Sequence, residues 1–89
     1  MRIEFDPAKE AANIEKHELS FVDVPALDWA NAIIMEDNRQ DYGEKRIAAF
    51  LYGNGIPYNV VYTERRNVRR IISFRRAREK ERKRHEKKT

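Results

Sequence analysis

Two β-forming runs, Tyr58-Asn-Val-Val-Tyr-Thr63 and Val68-Arg-Arg-Ile-Ile-Ser-Phe74, are separated only by Glu64-Arg-Arg-Asn67. Both are rich in β-branched and aromatic residues, and a polar link with an asparagine is turn material, so the segment predicts a β-hairpin. Strict alternation along the second run puts Val68, Arg70, Ile72 and Phe74 on one face and Arg69, Ile71, Ser73 and Arg75 on the other. Neither face is purely apolar. Arginines held on a sheet are rigid guanidinium forks, and their natural guest is a phosphate or a carboxylate.

The hairpin fixes how the rest of the chain is read. Asn31–Glu36 and Glu44–Tyr52 supply two more strands, with Asp37–Gly43 turning the chain between them and Gly53-Asn54-Gly55 forming a tight turn into the hairpin. Four strands joined by short turns predict an antiparallel meander. Arg2–Phe5 alternates as a short opening strand, expected at an edge. Asp6-Pro7, a cap followed by proline at the first helical position, starts a helix that runs to His17. Ser20 caps a second short helix over Phe21–Asp28, irregular because of Pro25, with Phe21, Val24, Leu27 and Trp29 as core anchors. The fold class is therefore α+β, with two N-terminal helices covering one face of the sheet. Arg76–Thr89 is helical by propensity, but its only apolar residue is Ala77, so it is expected to be mobile until a partner orders it.

Eighty-nine residues without cysteine make one small domain over 1–89, with 76–89 as a charged C-terminal helix or tail and no disulfide framework. A reducing cytoplasm is the compatible compartment, and the acidic, broken N-terminus does not resemble a signal peptide. Charge is divided unevenly. Residues 64–89 hold 13 Lys/Arg against 4 Asp/Glu, or +9, whereas residues 1–63 hold 6 against 11, or −5. A basic third on an acidic body suits a polyanionic partner, nucleic acid first; the plainer reading is a solvated tail kept for solubility.

The motifs exclude much chemistry and leave metal-free chemistry open. There is no HExxH, EF-hand loop, P-loop or GxGxxG, and the histidines, His17 and His85, lie far apart in sequence. No metal or cofactor is expected. What remains is Arg, Lys, Tyr, His and Glu, sufficient for metal-free RNA cleavage: the 2′-hydroxyl attacks its own 3′-phosphate while the protein moves protons and neutralises the phosphoryl oxygens. Arg65, Arg75 and Arg76 are candidates to meet around one phosphate. His17 is the best proton carrier by intrinsic pKa, or else a dipole partner at a helix end. Tyr62 is a second proton donor, a base-stacking ring, or core. Lys9, Lys16 and Arg69 are candidates to hold the RNA backbone, together with Glu79, placed to steady the guanidinium groups one turn before it.

Four stretches together resemble the BrnT family of toxins from bacterial BrnT–BrnA toxin–antitoxin pairs: Phe5-Asp6-Pro7 with Lys9, Asn13 and Lys16-His17; Asp41-Tyr-Gly-Glu-Lys-Arg46; Val60-Val-Tyr-Thr-Glu-Arg65; and Arg70-Ile-Ile-Ser73 followed by Arg76, Ala77 and Glu81-Arg82. The resemblance implies a RelE-like fold, an mRNA-cleaving toxin that stops translation, and neutralisation by a BrnA antitoxin with a ribbon-helix-helix domain, the complex repressing its own operon through operator DNA. It favours Lys16, His17, Arg65, Arg75 and Arg76 as the working set. The alternative is a non-catalytic nucleic-acid-binding or antitoxin-docking module. The chain departs from the family pattern at Phe5, where many relatives have Trp; at Glu18, where Gly is usual; and at Phe74, where a small residue is common and whose bulk would narrow an RNA site.

Overall fold

A computed structural model describes residues 1–38 and 43–86. The elements in order are β1 (Arg2–Glu4), α1 (Pro7–His17), 3-10 turns over Phe21–Ala26 and Trp29–Asn31, β2 (Ile33–Asp37), β3 (Arg46–Gly53), β4 (Ile56–Arg65), β5 (Val68–Arg76) and α2 (Glu79–Glu86). The fold is α+β. Strands β2 to β5 pair antiparallel in sequence order, and β1 joins the far side of β5 in parallel, giving a five-stranded mixed sheet in the order β1-β5-β4-β3-β2. Residues 39–42 of the expected Asp37–Gly43 turn, and with them Asp41 and Tyr42 of the second family stretch, lie outside the described residues.

Local chemistry accounts for the element ends. The Asp6 side chain accepts from the Ala8 N–H at 2.8 Å, and Pro7 occupies the first helical position. Both tight turns hold two residues at positive φ, Asn54-Gly55 (52° and 79°) and Arg66-Asn67 (51° and 66°), the backbone that matches strand twist in a two-residue hairpin. The expected second helix is a 3-10 turn capped by Ser20. Pro25, lacking an N–H and fixed in φ, suits this short tight segment better than an α-helix.

The core lies between the sheet and the N-terminal helical elements. Phe21, Val24, Leu51, Val60, Ile71 and Phe74 are almost fully buried, with Phe5 packed edge-on against Phe21 at 5.5 Å. Asn13 of α1 fastens the layers together. Its side-chain amide donates to the Phe74 carbonyl (2.8 Å) and the Leu19 carbonyl (2.9 Å), and its oxygen accepts from the Phe74 N–H (3.1 Å). Because β1 covers β5 only at Val68–Arg70, Asn13 completes the backbone pairing of β5 further along, where a strand would otherwise be needed.

The C-terminal helix departs from expectation. Instead of standing off until a partner orders it, α2 docks on the face of the sheet opposite the core. His85 is buried and stacks on Phe50 at 4.7 Å between ring centroids, and the Tyr52 hydroxyl donates to the Glu86 carboxylate. A helix without aliphatic residues is thus held by a ring stack and charge-assisted hydrogen bonds.

Candidate anion-binding cleft

A one-residue irregularity in β5 decides which side chains reach the site. Val61 pairs with Ser73 and Tyr62 with Ile71, so Ile72 is an extra residue and the alternation resets there. Ile71 and Phe74 consequently both face the core, and Arg75 is turned to the opposite face. Strict alternation had grouped Phe74 with Arg70 and Ile72, and Arg75 with Ile71. Phe74 is sealed on the core side, so its bulk does not narrow anything on the arginine side.

Where that face meets the C-terminal end of α1, Lys16, His17, Arg46, Ser73, Arg75 and Arg78 line a cleft of about 180 Å³. Each arrives by a separate device. Asn13 pins α1 to β5, and one turn later Lys16 and His17 sit beside Ser73. Lys9 shares the Asn13–Lys16 face of α1, and a second shallow cleft of about 230 Å³, lined by Lys9, Asn13, Lys16, His17, Ile72 and Ser73, continues the first along the helix. Arg78 stands at the N-cap of α2, where its N–H donates to Glu81 at 2.8 Å, half of a capping box.

Arg75 is fixed by Glu81. Its Nη1 and Nη2 donate to the two carboxylate oxygens, each at 2.8 Å, and Nη1 also reaches the Arg76 carbonyl at 3.2 Å. The Arg75 guanidinium, aided by the Arg78 N–H, holds the Glu81 carboxyl down at about 2, so it is ionised at neutral pH. His17 is held below its ordinary value of 6.5 by partial burial first, then by the positive charges of Lys16, Arg75 and Arg78. Its imidazole is therefore neutral at pH 7 and able to accept a proton, beside cations able to receive an anion.

The remaining expected site residues lie elsewhere. Arg65 is at the far end of β4, paired with Glu44 at 2.6 Å, and six positions along the strand from Asn59, the partner of Arg75; that is about 20 Å at strand rise. Arg76 pairs with Tyr58 and, by alternation, points to the face opposite Arg75. Tyr62 is 2% exposed, edge-on to Trp29 at 5.6 Å, and its phenol is pushed up by burial. Arg69 lies over Trp29 (4.5 Å) and Tyr62 (4.9 Å) with Nε on Glu64 (3.1 Å), a cation–π arrangement within the core-side layer. Glu79 pairs with Lys83 at 3.2 Å on the exposed side of α2. The steadying role expected of Glu79 belongs to Glu81, two residues further on.

Glu81, Arg78 and Arg46 were not among the expected site residues. Glu81 and Arg46 stand within the family stretches, but only the folding of α2 back onto the sheet brings Glu81 to Arg75, a contact no helical or strand period encodes.

A small α+β protein with a neutral imidazole set among guanidinium and ammonium groups has the makings of an enzyme acting on a phosphate ester or a binder of polyanions. The chain matches the model of a family described as the ribonuclease toxin, BrnT, of type II toxin–antitoxin systems over residues 5–81, and it belongs to that family. No curated protein matches it. Among the described residues no helix is long and apolar enough to cross a membrane.

Proposed function

We propose that this protein is an RNA endonuclease that cleaves mRNA by metal-independent phosphoryl transfer in the bacterial cytoplasm, and so inhibits translation. The observation that carries this reading is the neutral His17 imidazole in one cleft with Lys16, Arg75 and Arg78. A phosphodiester seated there places its non-bridging oxygens among the cations, which neutralise charge as the pentacoordinate phosphorus forms. His17 takes the proton from the 2′-hydroxyl as its oxygen bonds to phosphorus. The bond to the 5′-oxygen breaks, that oxygen takes a proton from water at the open side of the cleft, and a 2′,3′-cyclic phosphate remains. Lys9 and Lys16 along α1 extend the positive track for the backbone.

The partner in this reading is a BrnA-like ribbon-helix-helix antitoxin, through which the complex reaches operator DNA. One observation favours the non-catalytic alternative, a nucleic-acid-binding or antitoxin-docking module: Glu81 already occupies both prongs of Arg75, which lowers what that guanidinium can offer a phosphate. The decisive experiment is RNA cleavage in EDTA, paired with growth arrest on expression. Cleavage persisting in EDTA, with arrest relieved by His17→Ala and Arg75→Ala in folded protein, is the expected result. RNA that stays intact until metal is added overturns the mechanism, and folded variants that still arrest growth favour the alternative.

A further inference from the structure

The cleft does not end at Arg75. Asn59, Val61 and Arg75 also line a second hollow of about 190 Å³ on the same face of the sheet, so the two are contiguous across β4. The second hollow has an apolar part to its lining, from Ile33, Met35, Ala48, Phe50 and Val61, and a charged and polar part, from Glu36 and Asp37 of β2 and Glu81, Arg84 and His85 of α2. It has the volume of about six water molecules, enough for one planar ring system.

Asn59 stands where the two meet. It is directly opposite Arg75 in the β4–β5 register and opposite Phe50 in the β3–β4 register, and it is 8% exposed. Its carboxamide makes no hydrogen bond to any described residue, in contrast to Asn13, whose amide is fully used. Asn59 is not among the described residues that have a sealed, unpartnered side-chain polar atom, so its amide opens onto the hollow, where its donor and acceptor can meet water or a ligand. The group that fits has a flat apolar body and an edge with a hydrogen-bond donor beside an acceptor, which describes a nucleobase.

We infer that the hollow is a nucleobase subsite, that Asn59 reads the edge of the base bound there, and that this side chain sets a base preference next to the scissile phosphate. The position of the phosphate rests on the ribonuclease reading; the base site itself does not. Binding runs from phosphate among the cations, across Arg75, to a base on Ala48 and Val61 with its polar edge on the Asn59 amide.

The test is titration of the four nucleoside 5′-monophosphates into isotope-labelled protein, followed by amide NMR shifts, alongside mapping of cuts on single-stranded RNA. One nucleotide is expected to bind roughly tenfold tighter than the weakest, the scale of a bidentate amide–base pair, and to move Ala48, Phe50 and Val61. Asn59→Ala is expected to level the four affinities. Ala48→Met fills the hollow from β3, and is expected to abolish the base-dependent differences while inorganic phosphate still moves His17. Equal binding of all four nucleotides with shifts confined to the His17 cleft overturns the inference, as does RNA cleavage without base preference. Protein that cuts no RNA yet binds nucleotides in the expected pattern removes the ribonuclease reading and leaves the base site standing.

Discussion

Arg75 and Glu81 meet in a two-pronged ion pair, 2.8 Å at each prong, and this contact joins the last strand to the helix that follows it. It also links fold to chemistry, because the carboxylate that anchors α2 holds in place a guanidinium lining the cleft. Glu81→Gln removes the charge from one side and is expected to destabilise the protein by about 2 kcal/mol, the scale of a hydrogen bond to a charged group. Because the folded-state pKa is depressed from 4.5 to about 2, the stabilisation is present in full above 4.5 and is lost as pH falls toward 2. Thermal unfolding against pH checks both points: the wild type has an acid limb in that window, which Glu81→Gln flattens.

His17 makes a different pH prediction. Its folded pKa lies below 6.5, so the base form dominates above that value, and cleavage is expected to rise with pH through a midpoint below 6.5 and then level off. Lys16→Gln removes the largest charge acting on it and is expected to shift the midpoint up toward 6.5. NMR titration of the His17 ring reads the midpoint directly, even in a variant with slow cleavage. A midpoint unmoved by this substitution leaves the proposed electrostatic coupling without support.

The separation of Arg65 from Arg75 predicts unequal effects. Arg65 is mostly exposed and paired with Glu44, so Arg65→Ala is expected to change stability by under about 1 kcal/mol and cleavage by less than about threefold. Arg75→Ala is expected to cost at least about a hundredfold in cleavage, the scale of removing one preorganised group facing developing negative charge. Rates measured on one RNA substrate, with folding checked by circular dichroism, decide the point. Comparable losses at the two positions contradict this placement of the cleft.

What the sequence disclosed and what it hid follow from the range of the forces involved. The hairpin, the Asp6-Pro7 helix start and the Asn54-Gly55 turn were legible because each is set within a few residues by backbone preference. His17, Lys16, Lys9 and Arg75 were singled out by side-chain type alone, and α1 and β5 bring them into adjoining clefts. The facing of Arg75 was not legible, since one unpaired residue, Ile72, resets the alternation, and nothing local to Arg-Ile-Ile-Ser marks it. The docking of α2 was hidden because composition counts aliphatic residues, and this helix is held by His85 on Phe50 and Glu81 on Arg75. Tyr62 was open between site and core, and with Arg69 it lies in a half-buried aromatic–cation stack whose composition is also that of a nucleic-acid platform.

Asn13 predicts a large effect from a residue with no proton to transfer. Its amide satisfies both backbone groups of Phe74, so Asn13→Ala leaves a donor and an acceptor without their partner at a buried edge. The expected loss is about 2–4 kcal/mol, more than for an ordinary surface substitution, and a fall in Tm of at least 10 °C on the scale of a domain this small. Because α1 carries His17, cleavage per folded molecule is also expected to drop. A stability change under about 1 kcal/mol, measured by urea unfolding, contradicts the bridging role.

Glu18 predicts a gain. It ends α1 in the left-handed region, at φ 59° and ψ 29°, with its N–H on the Ile14 carbonyl at 2.7 Å. A side chain with a Cβ is strained in that conformation, whereas glycine adopts it freely, the usual reason for glycine just past a helix. Glu18→Gly is expected to raise stability by about 0.5–1 kcal/mol, since release of folded-state strain outweighs the added freedom of the unfolded chain. Glu18→Ala, which keeps the Cβ, is the control and is expected to gain nothing. Equal Tm for Glu18→Gly and Glu18→Ala contradicts the strain argument, because the two then differ in nothing that the helix end detects.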